Sequence, residues 1–228
     1  CHFYGGGGAG VKHGDLDPSM TNPSRELDVH MGVDGANFTC QTCHVTENHQ
    51  VAGSRYEMTV GQEGESLKTC ESCHTAAAHE DEALNNHTDR VACQTCHIPE
   101  YAREFQTKLW WDWSTAGQKD EDGKPFQVKD EATGWVTYDS KKGDFVWGID
   151  LVPEYQWFNG GSTWITLDDD VSADELAYIN QLHGDITDPA ALIYPVKPFG
   201  GIQPYDAGVG KLAVPHLFPN AGDKENPT

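Results

Sequence analysis

Three pentapeptides hold the residues best suited to chemistry. Each has two cysteines separated by two residues and followed directly by a histidine, and they occupy residues 40–44, 70–74 and 93–97. This C-x-x-C-H pattern is the attachment signature of c-type haem. Two thiols on one short helical turn can form thioethers with the vinyl groups of one porphyrin, and the adjacent histidine can bind the iron. Three copies in so short a stretch indicate three covalently bound haems.

A fourth, partial copy stands at the start of the chain. Cys1-His2 matches the last two residues of the same pentapeptide, and it accounts for the odd number of cysteines, seven in all. We therefore expect this sequence to begin inside a haem site and to belong to a longer polypeptide with further haems. The predicted haem-binding residues are Cys1, His2, Cys40, Cys43, His44, Cys70, Cys73, His74, Cys93, Cys96 and His97, with the four histidines as proximal iron ligands.

Two other roles are open to paired cysteines. Two C-x-x-C pairs could bind one zinc ion as a Cys₄ site, but such a site gives no reason for a histidine after every second cysteine. Disulfide bonds are the other possibility, although pairs spaced so closely do not join distant loops well. The sequence therefore favours haem c as the cofactor, with three complete attachment sites and one partial site.

The remaining histidines could supply the second axial ligand of each iron. The distal ligands are expected mainly among His13, His30, His49, His79 and His87. Met20, Met31 and Met58 are alternative sulfur ligands, which would raise the reduction potential. Because spare histidines outnumber methionines, ligation by two histidines is the favoured arrangement. The spare histidines also outnumber the haem sites, so some are expected to bind haems of the missing half.

The elements that position these residues are expected to be short. In 228 residues, 37% are apolar, 24 are glycine and 12 are proline, which predicts a small protein core that the haems complete. Residues 83–87 predict a short helix, and residues 135–147 predict a β-hairpin. A second helix is predicted over residues 176–182, with a capping box at Ser172 and Glu175.

These patterns together predict the fold class of a multihaem cytochrome c. It is expected to be mainly α and irregular, with a haem-packed core, a small β-hairpin and an extended proline-rich C-terminal arm. Residues 1–100 are predicted to form the multihaem region, and residues 101–228 a Trp-rich and Pro-rich region that wraps it within the same domain. Packing against one another and against haem faces is favoured for the tryptophans over a carbohydrate-binding or electron-hopping surface.

Charge and export chemistry limit the partners and the location. A net charge of −21 without a basic run excludes nucleic acid as a partner, because phosphate contacts need clustered Lys and Arg. No apolar stretch is long enough for a transmembrane segment. The thioethers of c-type haem are made outside the cytoplasm, so a periplasmic or extracellular location is expected. Electron donors would be other redox proteins or quinol-linked donors.

Longer motifs surround the pentapeptides. They are Cys1-His2-Phe3, Lys12-His13-Gly14-Asp15-Leu16-Asp17, Asn22-Pro23-Ser24-Arg25-Glu26, Asp28-Val29-His30-Met31-Gly32, Val91-Ala92-Cys93-Gln94-Thr95-Cys96-His97-Ile98-Pro99, Trp111-Asp112-Trp113-Ser114-Thr115-Ala116-Gly117, Trp157-Phe158-Asn159-Gly160 and Gln203-Pro204-Tyr205-Asp206. Together they resemble the C-terminal half of the octahaem tetrathionate reductase family of multihaem cytochromes c. The resemblance covers nearly the whole chain.

The resemblance implies a function that the spacing alone does not. A full-length member would hold eight haems, mostly with two histidine ligands, and one catalytic haem bound by a lysine that lies upstream of Cys1. Members look like reductases of tetrathionate, nitrite or hydroxylamine, and no catalytic residue of this chain is assigned. The alternative is a periplasmic or extracellular electron-conduit cytochrome with no catalytic haem, in which polymers or other homo-oligomers are possible. An open iron position would distinguish the two.

Overall fold

The computed structural model describes residue 10 and residues 18–44, 46–47, 50–51 and 68–215. These residues form two compact units, each assembled from several segments of the chain. The first unit contains the described residues up to Thr107, together with Gly148–Trp164 and Ile179–Pro198, and the second contains Lys108–Trp147, Ile165–Tyr178 and the described residues from Phe199 onward. The expected single domain with regions 1–100 and 101–228 stays a prediction.

The helices are single turns or little more. They are α1 (Cys40–Cys43), α2 (Glu71–His74), α3 (Glu82–His87) and α4 (Cys93–His97), with 3₁₀ turns at Pro18–Thr21 and Trp113–Thr115. α3 confirms the short helix predicted here, and it begins where the Asp81 carboxylate accepts the N–H of Ala83 at 2.8 Å. None of the helices in the described part of the chain has the length and apolar character needed to cross a bilayer.

Short strands make up more of the structure than helices do. They are β1 (Thr46–Glu47), β2 (Gln50–Val51), β3 (Thr107–Asp112), β4 (Gln127–Lys129), β5 (Val136–Asp139), β6 (Gly143–Gly148), β7 (Glu154–Phe158), β8 (Ser162–Trp164), β9 (Asn180–Leu182), β10 (Leu192–Val196), β11 (Gly200–Ile202), β12 (Tyr205–Asp206) and β13 (Lys211–Leu212). Of the described residues, 26% are in strands and 15% are helical. The expectation of a mainly α chain is therefore corrected, since turns this short contribute few helical residues.

In the first unit, a two-stranded ribbon supports the last pentapeptide. β7 and β10 pair in antiparallel register, with Phe158 opposite Leu192. The buried side chains of Ala92, Phe158 and Tyr194 form the core beside this ribbon. The N–H of Ala92 donates to the carbonyl of Ile193 at 3.0 Å, so the residue that precedes α4 is fixed to β10.

The second unit contains a five-stranded sheet in the order β11-β3-β6-β5-β4. β5 and β6 pair in antiparallel register, which confirms the predicted hairpin. The Lys108 ammonium is buried among the rings of this unit, 3.8 Å from the centroid of Phe145 and 3.9 Å from that of Trp111. These aromatic rings therefore pack against one another and around a cation. The tail beyond residue 191 is extended as expected, but its described part is paired into sheets through β10 to β13 rather than lying as a free arm.

The helix predicted over residues 176–182 is wrong. Its last residues form β9, which pairs with β8 in antiparallel register. Leu176 and Tyr178 are 77% and 60% exposed, so the apolar residues of this segment do not form a buried helical face. A helix this short has little stability without such a face, and strand pairing supplies its backbone hydrogen bonds instead. Gly184 adopts a φ of +132°, and a Cβ there would lie 3.1 Å from the backbone nitrogens of Phe158 and Asn159.

Gly143→Ala should destabilise the second unit more than an ordinary glycine substitution. Gly143 has a φ of +84°, and a Cβ there would overlap the carbonyl oxygen of Asp112. Gly123→Ala is the matched control, because Gly123 has a φ of +75° with nothing within 4 Å of its Cβ position. We expect the Gly143 variant to lose about 2 kcal/mol more unfolding free energy than the control. Denaturant unfolding of the holoprotein, followed by circular dichroism, measures the difference; equal losses would contradict it.

Candidate haem-binding sites

Each pentapeptide folds as one helical turn that places its cysteines and histidine together. In the first, the N–H of His44 donates to the carbonyl of Cys40 at 2.9 Å. In the second, the N–H of His74 donates to the carbonyl of Cys70, also at 2.9 Å. The third is α4 itself. The short turn predicted from the C-x-x-C-H spacing is therefore present at all three positions.

The alternative roles concern how the six described cysteines are placed. No disulfide bond joins any two of the six described cysteines. Within the described residues, no three His, Cys, Asp or Glu side chains gather into a possible metal-binding cluster. A structural zinc site needs four such ligands around one ion.

The thiols of the first two pentapeptides are neighbours. Burial raises the pKa of the Cys43 thiol above its usual value, and the nearby Cys73 and Asp28 add to the shift. Such an electrostatic effect acts over a short distance, so Cys43 of α1 and Cys73 of α2 lie near each other. Groups attached to the two turns would therefore lie close together.

The second and third pentapeptides are also neighbours. Burial, followed by the adjacent Cys93, raises the pKa of Cys70 to about 11. Cys93 Sγ lies 4.0 Å from Glu71 Oε1. Burial, with a smaller contribution from Cys70, raises the pKa of Tyr194 to about 12, so the core of the first unit packs beside this pair. The second pentapeptide thus adjoins both of the others.

Two of the predicted distal histidines face pentapeptide histidines. The ring centroids of His30 and His74 are 6.1 Å apart, with 66° between the ring planes. Those of His79 and His97 are 5.9 Å apart, with 20° between the planes. An iron between two imidazoles needs about 2 Å to each nitrogen and about 1 Å more to each centroid, or about 6 Å in all. Both pairs have the spacing of axial ligands to one metal.

Of the other predicted ligands, His44 and His87 lie among the described residues. His87 is exposed and makes no ring contact with another described histidine. His44 directly follows α1 as its C-cap residue. Cys1, His2, His13 and His49 lie outside the described residues, so their roles stay predictions.

A turn centred on Asp28 presents His30. The Asp28 carboxylate accepts the N–H groups of His30 at 2.8 Å and Met31 at 2.9 Å. Gly32 packs so closely that a Cβ would lie 2.6 Å from the backbone nitrogen of Arg25. Aspartate followed by such a turn is a familiar local pattern, and it is the signal that could have identified Asp28 from the sequence.

The third pentapeptide is anchored by a residue before it and a residue within it. The Arg90 guanidinium donates to backbone carbonyls of the 186–188 loop at 2.8 and 3.0 Å and lies 4.6 Å from the Trp157 ring centroid. The Thr95 hydroxyl donates to the carbonyl of Ile193 at 2.7 Å. Trp157 and Ile193 belong to the β7–β10 ribbon, so this ribbon fixes the position of His97.

The residues present fit a covalently bound haem. A cavity of about 470 Å³ opens beside Cys40, with Met20, Met31, Val33 and Phe38 among its lining residues. His79 Nδ1 is buried without a hydrogen-bond partner among the described residues. Apolar walls beside an attachment cysteine, and imidazoles held in facing pairs, are the features that a porphyrin and its iron require.

Comparisons with known proteins match this chain to cytochromes c. Residues 25–98 match the family described as cytochrome c7 and related cytochrome c, and residues 108–226 match the family described as bacterial cytochrome c. The crystal structure of an octahaem cytochrome c from Shewanella oneidensis is 43% identical, with a TM-score of 0.80 over 97% of this chain and 48% of that chain. An uncharacterised protein of Archaeoglobus fulgidus is 34% identical over 76 residues, 32% of this chain and 24% of that protein. The chain thus spans about half the length of the octahaem cytochrome.

Proposed function

Since the chain belongs to the bacterial cytochrome c family and is a multihaem c-type cytochrome of electron transfer, we propose that it is the electron-carrying part of a reductase of sulfur or nitrogen oxyanions. The proposal rests on one observation, the pairing of imidazoles about 6 Å apart at two neighbouring pentapeptides. Ligands held in this way suit an iron that carries electrons.

The chain's residues have three tasks in this proposal. The cysteine pairs at 40/43, 70/73 and 93/96 hold the cofactors covalently, and Cys1 belongs to a fourth. His74 and His97 are proximal ligands whose distal partners are His30 and His79; His44 and His2 are proximal ligands at the other two sites. His13, His49 and His87 are the remaining distal ligands. Bound haem supplies one-electron chemistry at iron, and the protein supplies its ligands, spacing and apolar surroundings.

Catalysis is proposed to occur outside this chain. With two histidines per iron, no coordination position is left for a substrate such as tetrathionate, nitrite or hydroxylamine. The net charge of −21 repels anions, and residues 38–100 contain only Arg55, Lys68 and Arg90 as cationic side chains apart from histidine. The octahaem cytochrome is about twice as long, so we place the catalytic haem, with a lysine ligand, in a further part of the polypeptide.

An electron-conduit cytochrome is the second candidate. The neighbouring thiols of consecutive pentapeptides favour it as much as they favour a reductase, because closely spaced attachment sites suit conduction in both. Both candidates need export, since the thioethers form outside the cytoplasm, and both need redox partners such as other cytochromes or quinol-linked donors. They differ in whether any iron of the full-length protein can bind a substrate.

Substrate turnover by the full-length holoprotein tests the proposal. The protein, produced in a host that attaches c-type haem, would be supplied with a reduced viologen dye and with tetrathionate, nitrite or hydroxylamine. We expect dye oxidation with at least one of the three, together with one high-spin iron in its electron paramagnetic resonance spectrum. A fully low-spin protein that oxidises the dye with none of them would reject the reductase in favour of the conduit.

A further inference from the structure

Asn85 holds the backbone of His79 with both ends of its side-chain amide. The N–H of His79 donates to Asn85 Oδ1 at 2.9 Å, and Asn85 Nδ2 donates to the carbonyl of His79 at 2.8 Å. The amide therefore satisfies the two backbone groups of one residue, much as a neighbouring β-strand would. Six residues separate the partners, so this contact closes the loop before α3 onto the helix.

The loop that contains His79 has few other restraints. It begins at Thr75, whose φ is +64° and whose N–H donates to the carbonyl of Glu71 at 3.1 Å. For residues 76–80, the two bonds to Asn85 are the only hydrogen bonds that the described part of the chain provides. Removing the Asn85 amide would therefore release the backbone of this loop.

The helix that contains Asn85 also leads to the partner histidine. The carbonyl of His87, the last residue of α3, accepts the N–H groups of Arg90 at 3.0 Å and Val91 at 2.8 Å. That turn runs directly into α4, which ends at His97. α3 thus connects the loop of one imidazole to the turn that carries the other.

The side chain of His79 is oriented as well as its backbone. Its Nδ1 is buried without a hydrogen-bond partner among the described residues, and its ring lies 5.9 Å from that of His97. No other described side chain forms a hydrogen bond with this ring, so the direction of the imidazole depends on where its backbone is held. The Asn85 amide provides that hold.

We infer that Asn85 is a positioning residue, which sets His79 at the distance from His97 that one shared iron requires. The inference rests on the proposed function, because it takes His79 as the distal ligand of the third pentapeptide. Asn85 does not touch the iron itself; it limits how often His79 leaves its place.

Carbon monoxide binding to the fully reduced, full-length holoprotein tests the inference. Carbon monoxide can enter only when a distal ligand leaves, so its rate of binding reports how firmly that ligand is held. His79→Ala identifies the optical signal of the iron concerned. Asn85→Ala should give the same signal with binding about tenfold faster than in the wild type, because it loses two hydrogen bonds that each contribute roughly a factor of three.

Asn86→Ala is the matched control. Asn86 is the next residue of the same helix, is exposed, and forms no side-chain hydrogen bond within the described residues. If Asn85→Ala binds carbon monoxide no faster than Asn86→Ala while His79→Ala has a clear effect, the positioning role is overturned and the ligand assignment stands. If His79→Ala changes no iron, the proposed ligand assignment fails, and the inference fails with it.

If Asn85→Ala does not yield haem-loaded protein, a milder pair of variants tests the same inference. Asn85→Asp keeps the oxygen that accepts the His79 N–H but places a carboxylate oxygen against the His79 carbonyl. Asn86→Asp introduces the same charge one residue away. Faster carbon monoxide binding, with a changed reduction potential at the iron marked by His79→Ala, is expected for Asn85→Asp alone. Equal behaviour of the two aspartate variants would contradict the inference.

Discussion

Replacing Cys93 and Cys96 together by serine should reduce the number of covalently bound haems in the full-length protein by one. Thioether bonds need the two thiols, and serine hydroxyls do not form them. The turn itself should persist, because the N–H of Ala92 and the hydroxyl of Thr95 both donate to the carbonyl of Ile193 in β10. Intact mass spectrometry would show a decrease of one haem, and a tryptic digest would show the haem missing from the peptide of the third pentapeptide.

The control keeps both thiols and changes the residues between them. Gln94→Ser with Thr95→Ser introduces two serines into the same turn, and the serine at 95 keeps a hydroxyl for the carbonyl of Ile193. This variant should retain the wild-type haem count. A wild-type mass without haem or with zinc, or an unchanged count in the cysteine variant, would show that the third pentapeptide is not an attachment site.

The attachment turns could be predicted from sequence because their chemistry is local. Five consecutive residues contain the two cysteines proposed to form thioethers and the histidine proposed to bind the iron, and a single helical turn places all three. The β5–β6 hairpin is local in the same sense, with alternating residues on either side of a tight turn. The helix predicted over 176–182 was wrong because the conformation of these residues depends on pairing with β8. That strand lies more than ten residues earlier in the chain.

The pairing of histidines could not be predicted from spacing. His79 lies five residues after the second pentapeptide, yet its ring faces His97 of the third. His30 precedes the first pentapeptide and faces His74 of the second. Each pair joins parts of the chain that only the folded loops bring together. The role of Asn85 could not be predicted for a similar reason. Its amide contacts the backbone of His79, and every residue type has a backbone N–H or carbonyl that could make such a contact.

Replacing His30 by alanine should open one iron position at the proposed His30–His74 pair. The His30 and His74 ring centroids are 6.1 Å apart, and alanine leaves nothing in place of the His30 imidazole to complete the pair. The reduced full-length holoprotein should then bind one more equivalent of carbon monoxide than the wild type, and the oxidised protein should gain one high-spin iron signal. His30→Met keeps a ligand and should instead raise the potential of one haem.

His183→Ala is the control for His30→Ala, because it removes a histidine without removing a proposed iron ligand. His183 lies outside the proposed ligand set, with its ring nitrogen 3.2 Å from the Thr163 hydroxyl, so its removal should leave the carbon monoxide count unchanged. The spectra of the wild-type protein in the same experiment also show where substrate can be reduced. If each wild-type iron attached to the three complete pentapeptides has two axial ligands, substrate is reduced elsewhere, and any open position must lie at a haem of another part of the polypeptide. A high-spin iron assigned to Cys43, Cys73 or Cys96 in the wild type would place the reactive centre in this chain and contradict the proposed division between conduction and catalysis.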